Sequence, residues 1–220
     1  AGRFFYKPVP WAPKTVAMPP CLSRGYVTFG CFNNTAKLND TVIALWARVM
    51  AAVPDSRLML KWRTFNDTAF GQRIYAAFAA QGIDVARIEC RGSGFHVDVL
   101  KEYADIDIAL DPFPFTGGLT SCEALWMGVP VVTLAQTTVV SRQTSALLST
   151  IGLSHLVADT PEGYVQLARD LALNTQRLMH LRTQLRAQIS SSALMDVQAH
   201  VTGLQQALLS IHQHVSGNLG

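Results

Sequence analysis

From Asp111 to Pro130 the chain reads Asp-Pro-Phe-Pro-Phe-Thr-Gly-Gly-Leu-Thr-Ser-Cys-Glu-Ala-Leu-Trp-Met-Gly-Val-Pro, and the apolar run Ile106-Asp107-Ile108-Ala109-Leu110 leads into it. The run predicts a buried strand. Pro112 and Pro114 forbid further ladder pairing, and Gly117-Gly118 permits backbone conformations closed to other residues. From Leu119 or Thr120 the pattern becomes helical, with Cys122, Leu125 and Trp126 on one side, until Gly128 stops it. A strand, a glycine turn and an open helix N-terminus attract an anion, above all a phosphate, because unpaired N–H groups and the helix dipole meet there. Glu123 lies one turn inside that helix, where its carboxylate could accept bonds from a pair of sugar hydroxyls.

Outward from this stretch, strands and helices alternate. Tyr26–Cys31, Arg57–Trp62, Ala86–Cys90, Ile106–Asp111, Pro130–Leu134 and His155–Ala158 read as six strands. Between them, helices are expected from a cap at Asn39 or Asp40 to about Ala52, from a cap near Asn66 or Asp67 to Gly82, over Val97–Tyr103, and from Ser141-Arg142 to Gly152. Beyond Thr160-Pro161 the pattern is helical throughout, and a last helix runs from Ala193 to about Val215 before fraying through Gly220. The alternation specifies an α/β fold, a doubly wound parallel six-stranded Rossmann-like sheet with C-terminal helices. Residues 1–25 hold five of the ten prolines and read as a Pro-rich linker. Residues 26–192 read as the sheet domain and 193–220 as a C-terminal helix.

With strand order 3-2-1-4-5-6, a ligand lies where the order reverses, between strands one and four. The loops there, Phe32–Lys37 and Pro112–Gly118, are polar or glycine-bearing. Lys37 could meet a diphosphate or be a solvated lysine, and Asn33 and Asn34 could be contacts or turn residues. His96, after the loop Gly92-Ser93-Gly94, lies on the same edge, whereas His155, His180, His200, His212 and His214 fall elsewhere. Ser141-Arg142 could contact an anion or pack as a pair. Asp105-Ile106-Asp107 imitates a metal-binding Asp-x-Asp, but it enters a strand and its side chains diverge, so no metal is expected.

Composition narrows the classes further. With 49% apolar and 15% charged residues the chain is a folded protein, and its net charge of +3 is unclustered, which argues against a nucleic-acid surface. Cys21, Cys31, Cys90 and Cys122 have neither Cys-x-x-Cys nor zinc spacing and read as buried reduced thiols. No stretch reaches the roughly 20 apolar residues of a membrane span, and Ala1-Gly2-Arg3 lacks the architecture of a secretory signal, so a soluble cytoplasmic location is expected. Gly-x-Gly-x-x-Gly does not follow the first strand, and P-loop and Gly-x-Ser-x-Gly motifs are absent. Those absences argue against a nicotinamide dehydrogenase, a P-loop enzyme and a serine hydrolase.

Tyr26–Asn34, Lys37, Ala109–Gly118, Glu123–Thr133 and Ser141-Arg142 together resemble the protein O-GlcNAc transferases, most of all their bacterial, SPINDLY-like branch. The resemblance covers nearly the whole chain and falls on the C-terminal, donor-binding half of a two-Rossmann (GT-B) catalytic region. It implies a uridine or ribose contact at Asn34, a diphosphate-binding lysine at Lys37, and a uracil-framing loop at Gly94, Phe95 and His96. It also implies a phosphate-binding turn at Gly117, Gly118, Leu119 and Thr120 and a ribose-binding acid at Glu123. Two departures stand out: Gly118-Leu119 replaces His-Thr of the animal enzymes, dropping two side-chain donors, and Val99 replaces a frequent histidine. The implied reaction is metal-free, inverting transfer of GlcNAc from UDP-GlcNAc to Ser/Thr hydroxyls of acceptor proteins, with no cofactor. The N-terminal catalytic half and upstream tetratricopeptide repeats are the implied partners. Two alternatives stay open, a SPINDLY-type O-fucosyltransferase using GDP-fucose and a degenerate, non-catalytic scaffold.

Overall fold

A computed structural model describes residues 5–217. Six strands form one parallel sheet: β1 Thr28–Cys31, β2 Arg57–Lys61, β3 Ile88–Arg91, β4 Ile108–Leu110, β5 Val131–Leu134 and β6 Val157–Ala158, in the order β3-β2-β1-β4-β5-β6. The strand order is the expected one, and it puts the reversal between β1 and β4. Every residue of β1, β4 and β5 is buried, as a sheet covered on both faces requires. Gly30 is needed in β1 because a Cβ there would run into the Ile106 side chain.

The helices are α1 Cys21–Arg24, α2 Asp40–Ala52, α3 Thr68–Ala80, α4 His96–Glu102, α5 Leu119–Trp126, α6 Gln143–Thr150, α7 Pro161–Ala172, α8 Thr175–Ser190 and α9 Val197–Gly217. Their starts follow the capping chemistry. Asn39 accepts from Val42 N, Asp67 from Ala69 N, and Thr160 from Gly163 N with Pro161 in the first turn. At the C-terminal end Asn174 caps a fresh helix by accepting from Arg177 N, so the helical region breaks into α7 and α8.

Several boundaries differ from those read in the sequence. The third strand opens at Ile88 rather than Ala86, because Asp84 accepts from Ala86 N and curls Val85–Arg87 into a 3₁₀ turn. Similar turns over Ser154–Leu156 and Val140–Arg142 shorten β6 and delay α6. The last helix begins at Val197 rather than Ala193, since Leu194 is buried in the core and Asp196 accepts from Ala199 N. Residues 1–4 and 218–220, where the absent signal and the fraying end were read, lie outside the described residues. Cys31 and Cys122 are buried, but Cys21 and Cys90 only half so; all four are unpaired.

The packed pair α2 and α7 ties the core to the crevice. Trp46 of α2 donates from Nε1 to the Tyr164 hydroxyl of α7 at 3.1 Å, and that hydroxyl donates to the Asp111 carbonyl at 3.3 Å. Residues 5–20 cross the body rather than leaving it. Tyr6 is buried, its N–H donates to Leu194 O at 2.9 Å, and Arg182 and Arg186 of α8 donate to Ala17 O and Lys14 O.

Candidate nucleotide-sugar site

Beyond Cys31 the chain turns in at Phe32 and Asn33, both buried, and out at Asn34. Asn34 accepts from Ala36 N at 3.0 Å, capping a 3₁₀ turn over Thr35–Lys37 that sends the lysine back toward the sheet. Lys37 Nζ donates to Asn33 Oδ1 and to Thr116 O, each at 3.0 Å, and lies 4.6 Å from the centre of the Phe115 ring. Its contacts are neutral oxygens and a π face, so its charge is not cancelled by an ion pair. Burial lowers its pKa, partly opposed by the Asp111 carboxylate.

Across the crevice Asp111, the first residue past β4, is fully buried. Its carboxylate accepts Gly117 N–H and the Thr133 hydroxyl, both at 2.7 Å, and burial pushes it up to about 6. Thr144 donates to Gly117 O at 3.1 Å, and Thr116 bonds Val140 O through both its N–H and its hydroxyl. Gly117 does not have positive φ, and Gly118 has φ −128°. The sequence expectation of a special backbone conformation is therefore corrected at Gly117, where glycine is needed because a Cβ would strike Ser121 Oγ and Asp111 Oδ1. The turn delivers the N-terminus of α5 to the crevice, and Thr120 Oγ1 donates to Asn33 Oδ1 at 2.9 Å. One Asn33 oxygen thus ties Lys37 to α5.

Glu123 is buried on the next turn of α5. Burial raises its carboxyl, opposed by His96, whose Nε2 lies 2.8 Å from Glu123 Oε1. Phe32 stacks on Tyr103 with ring centres 4.4 Å apart, and the Tyr103 hydroxyl donates to Thr120 O. These groups line a cleft of about 380 Å³ with Trp62, Gly94, Val99 and Leu119. Lys61 lines it too, buried and paired with Glu102 at 2.7 Å.

Of the residues singled out in the sequence, Gly94, His96, Leu119, Thr120 and Glu123 line this cleft. Gly117 and Gly118 form the turn behind it. Asn34 and Lys37 line a neighbouring hollow with Asn39, Phe113 and Phe115, joined to the first through Asn33. Phe95 is 82% exposed and does not line the cleft. Ser141 is buried against Thr138 while Arg142 is exposed. Asp105 pairs with Arg24 and Arg91, and Asp107 accepts from Cys21 N and Thr28 N, so the two acids serve separate partners. Among the described residues no three His, Cys, Asp or Glu side chains converge as a metal site would need.

The sequence reading does not single out Phe32, Lys61, Trp62 and Tyr103 of the cleft lining, nor Asp111 behind the glycine turn and Trp11 beside His96. For Asp111 the signal was present, an acid closing a buried strand at the switch point. For Lys61 it was weaker, a lysine at the end of an apolar strand. Trp11 carries no local signal, yet its indole donates to His96 Nδ1 at 3.3 Å.

Comparison with known proteins agrees with this architecture. The family model for glycosyl transferase family 41 matches residues 20–204. The chain is 39% identical over 203 residues to a probable UDP-N-acetylglucosamine–peptide N-acetylglucosaminyltransferase SPINDLY of Arabidopsis thaliana, covering 92% of this chain and 22% of that protein. An O-GlcNAc transferase structure from Thermobaculum terrenum superposes with TM-score 0.84 at 33% identity, covering all of this chain and 42% of the other. The C-terminal domain of a group 1 glycosyl transferase from Francisella tularensis shares the fold, with TM-score 0.57 at 12% identity over 82% of this chain and 94% of that one. The chain therefore spans about a fifth of the curated relative, and under half of the O-GlcNAc transferase structure. By the match of the family model and the identity to its members, the chain belongs to glycosyl transferase family 41.

Proposed function

We propose that this chain is the donor-binding half of a protein O-GlcNAc transferase that moves GlcNAc from UDP-GlcNAc to Ser and Thr hydroxyls of proteins, with inversion and without a metal. The observation that carries the reading is the shared Asn33 oxygen, which gathers the uncancelled Lys37 ammonium and the N-terminus of α5 at one point of the switch crevice. A diphosphate needs both. Glu123 offers a ribose acceptor one helical turn away, and the Phe32–Tyr103 stack with the Gly94 loop forms a wall for a base.

In this reading the acceptor oxygen attacks the anomeric carbon as the bond to the diphosphate breaks, and UDP leaves with the electron pair. Lys37 and the N–H groups at Gly118, Leu119 and Thr120 meet the charge that develops on the leaving oxygen. Each such donor supplies about 3 kcal/mol to a transition state. The acceptor protein and the group that takes its hydroxyl proton belong to an N-terminal half, with tetratricopeptide repeats upstream and a cytoplasmic setting. No helix among the described residues is long and apolar enough to cross a membrane. In this reading residues 26–192 are the donor-binding unit, preceded by the Pro-rich segment and followed by α9, Val197–Gly217.

Calorimetric titration with UDP and with GDP tests this. Micromolar-to-millimolar UDP binding that disappears in Lys37→Ala is the expected result. Binding of GDP in place of UDP would move the reading to O-fucosyl transfer, and no heat with either nucleotide would favour a scaffold.

A further inference from the structure

The Pro-rich entry segment reaches the cleft through one side chain. Val9-Pro10-Trp11-Ala12 forms a turn closed by Ala12 N–H to Val9 O at 3.0 Å, with proline at its second position, where φ is already set. The turn is held from both sides, by buried Tyr6 before it and by the Arg186 guanidinium on Lys14 O after it. Trp11 projects from this fixed point, half exposed, and meets His96 edge to face with ring centres 6.1 Å apart and planes at 81°.

An indole nitrogen only donates. At 3.3 Å, Trp11 Nε1–H therefore requires a lone pair on His96 Nδ1, and the ring proton sits on Nε2. Nε2 faces Glu123 Oε1 at 2.8 Å, so the imidazole donates to the carboxylate. The contact selects the Nε2–H tautomer, which holds one Glu123 oxygen and leaves Oε2 to accept from a ligand hydroxyl.

We infer that Trp11 is a positioning residue of the nucleotide site: through its N–H it fixes the tautomer of His96 and thereby orients Glu123 for the ribose hydroxyls of a nucleoside diphosphate. The inference rests on the donor-site reading above and extends the site to a segment outside the sheet domain.

The test reads the tautomer directly. Long-range ¹⁵N–¹H spectra of the whole 220-residue chain, with the His96 ring assigned by its loss in His96→Gln, should show the proton on Nε2 and the lone pair on Nδ1. Trp11→Phe keeps an aromatic ring on the turn and removes the N–H donor. It should introduce a form with the proton on Nδ1, and weaken UDP binding about three- to tenfold, the size of one net hydrogen bond. Unchanged His96 nitrogen signals in Trp11→Phe would overturn the inference, as would a changed tautomer with unchanged UDP affinity. Failure of the parent chain to bind UDP while the tautomer responds would instead strike the donor-site reading, leaving the Trp11–His96 link standing.

Discussion

The Asp111 carboxylate accepts the backbone N–H of Gly117 at 2.7 Å, and its other oxygen holds the Thr133 hydroxyl, so one buried acid fastens the glycine turn to β4 and β5. Burial raises this acid to about 6, above the roughly 3.9 of an unfolded aspartate. The folded state therefore prefers the protonated form. Stability from this group is complete below about pH 4 and is lost as pH rises through about 6, by up to about 3 kcal/mol. Asp111→Asn can accept from Gly117 and donate to Thr133, so its stability should lack that fall. Urea midpoints of both proteins from pH 4 to 7 check this, and parallel curves would refute it.

Gly117→Ala places a methyl against Ser121 Oγ and Asp111 Oδ1. Overpacking of this kind costs about 1–3 kcal/mol, which lowers Tm by roughly 3–10 °C in a domain of this size. Calorimetric melting decides it; an unchanged Tm would mean that the turn yields freely.

Lys37 is lowered by burial, so it loses its proton at a lower pH than an exposed lysine. UDP affinity should fall as pH rises toward that shifted value, whereas Lys37→Arg, charged throughout, should be flat over the same range. Titrations between pH 7 and 10 make the comparison. A parallel fall in the arginine variant would assign the loss to another group.

Asn33 and Asn34 should separate cleanly. Asn33→Ala removes the oxygen shared by Lys37 and Thr120 and should weaken UDP about tenfold, one charge-assisted bond's worth. Asn34→Ala removes a cap on a 3₁₀ turn, costing about 1 kcal/mol of stability and little affinity. Equal affinity losses would make Asn34 a direct contact, as the family resemblance implies.

Arg182 is 1% exposed and donates to the carbonyls of Ala17, Ile106 and Tyr103. Arg182→Met leaves those three acceptors without their donor, and at about 1–3 kcal/mol for each carbonyl left buried it should cost several kcal/mol in a denaturant titration. A loss under about 1 kcal/mol would show that water replaces the guanidinium.

Much of this architecture was legible in the chain. The apolar runs of β1, β4 and β5, the caps at Asn39 and Asp67, and Gly128 after α5 are local signals, because hydrophobic period and turn chemistry act over a few residues. Their alternation specified a doubly wound sheet, and the usual order of such a sheet, which this one has, put the crevice between β1 and β4. Lys37, Gly117, Thr120 and Glu123 could be picked out because each lies within a few residues of a strand end or helix start facing that crevice.

Tertiary structure decided what those residues do to one another. Asn33 and Asn34 are the same residue type side by side; only the exit angle of β1 sends one inward and the other out. Gly117 looked like a backbone requirement and is a steric one, because the atoms that crowd it come from Asp111 and Ser121. His96 meets Glu123 across 27 residues and Trp11 across 85. Such pairings exist only once packed helices and the strapped entry segment bring distant residues together, and no local period records them. Local pattern was enough for the strands, the helices and, with the usual order of a doubly wound sheet, the edge where a ligand is expected; only the folded chain decided which side chains share hydrogen bonds there, because those bonds depend on distances between elements rather than on residues along one.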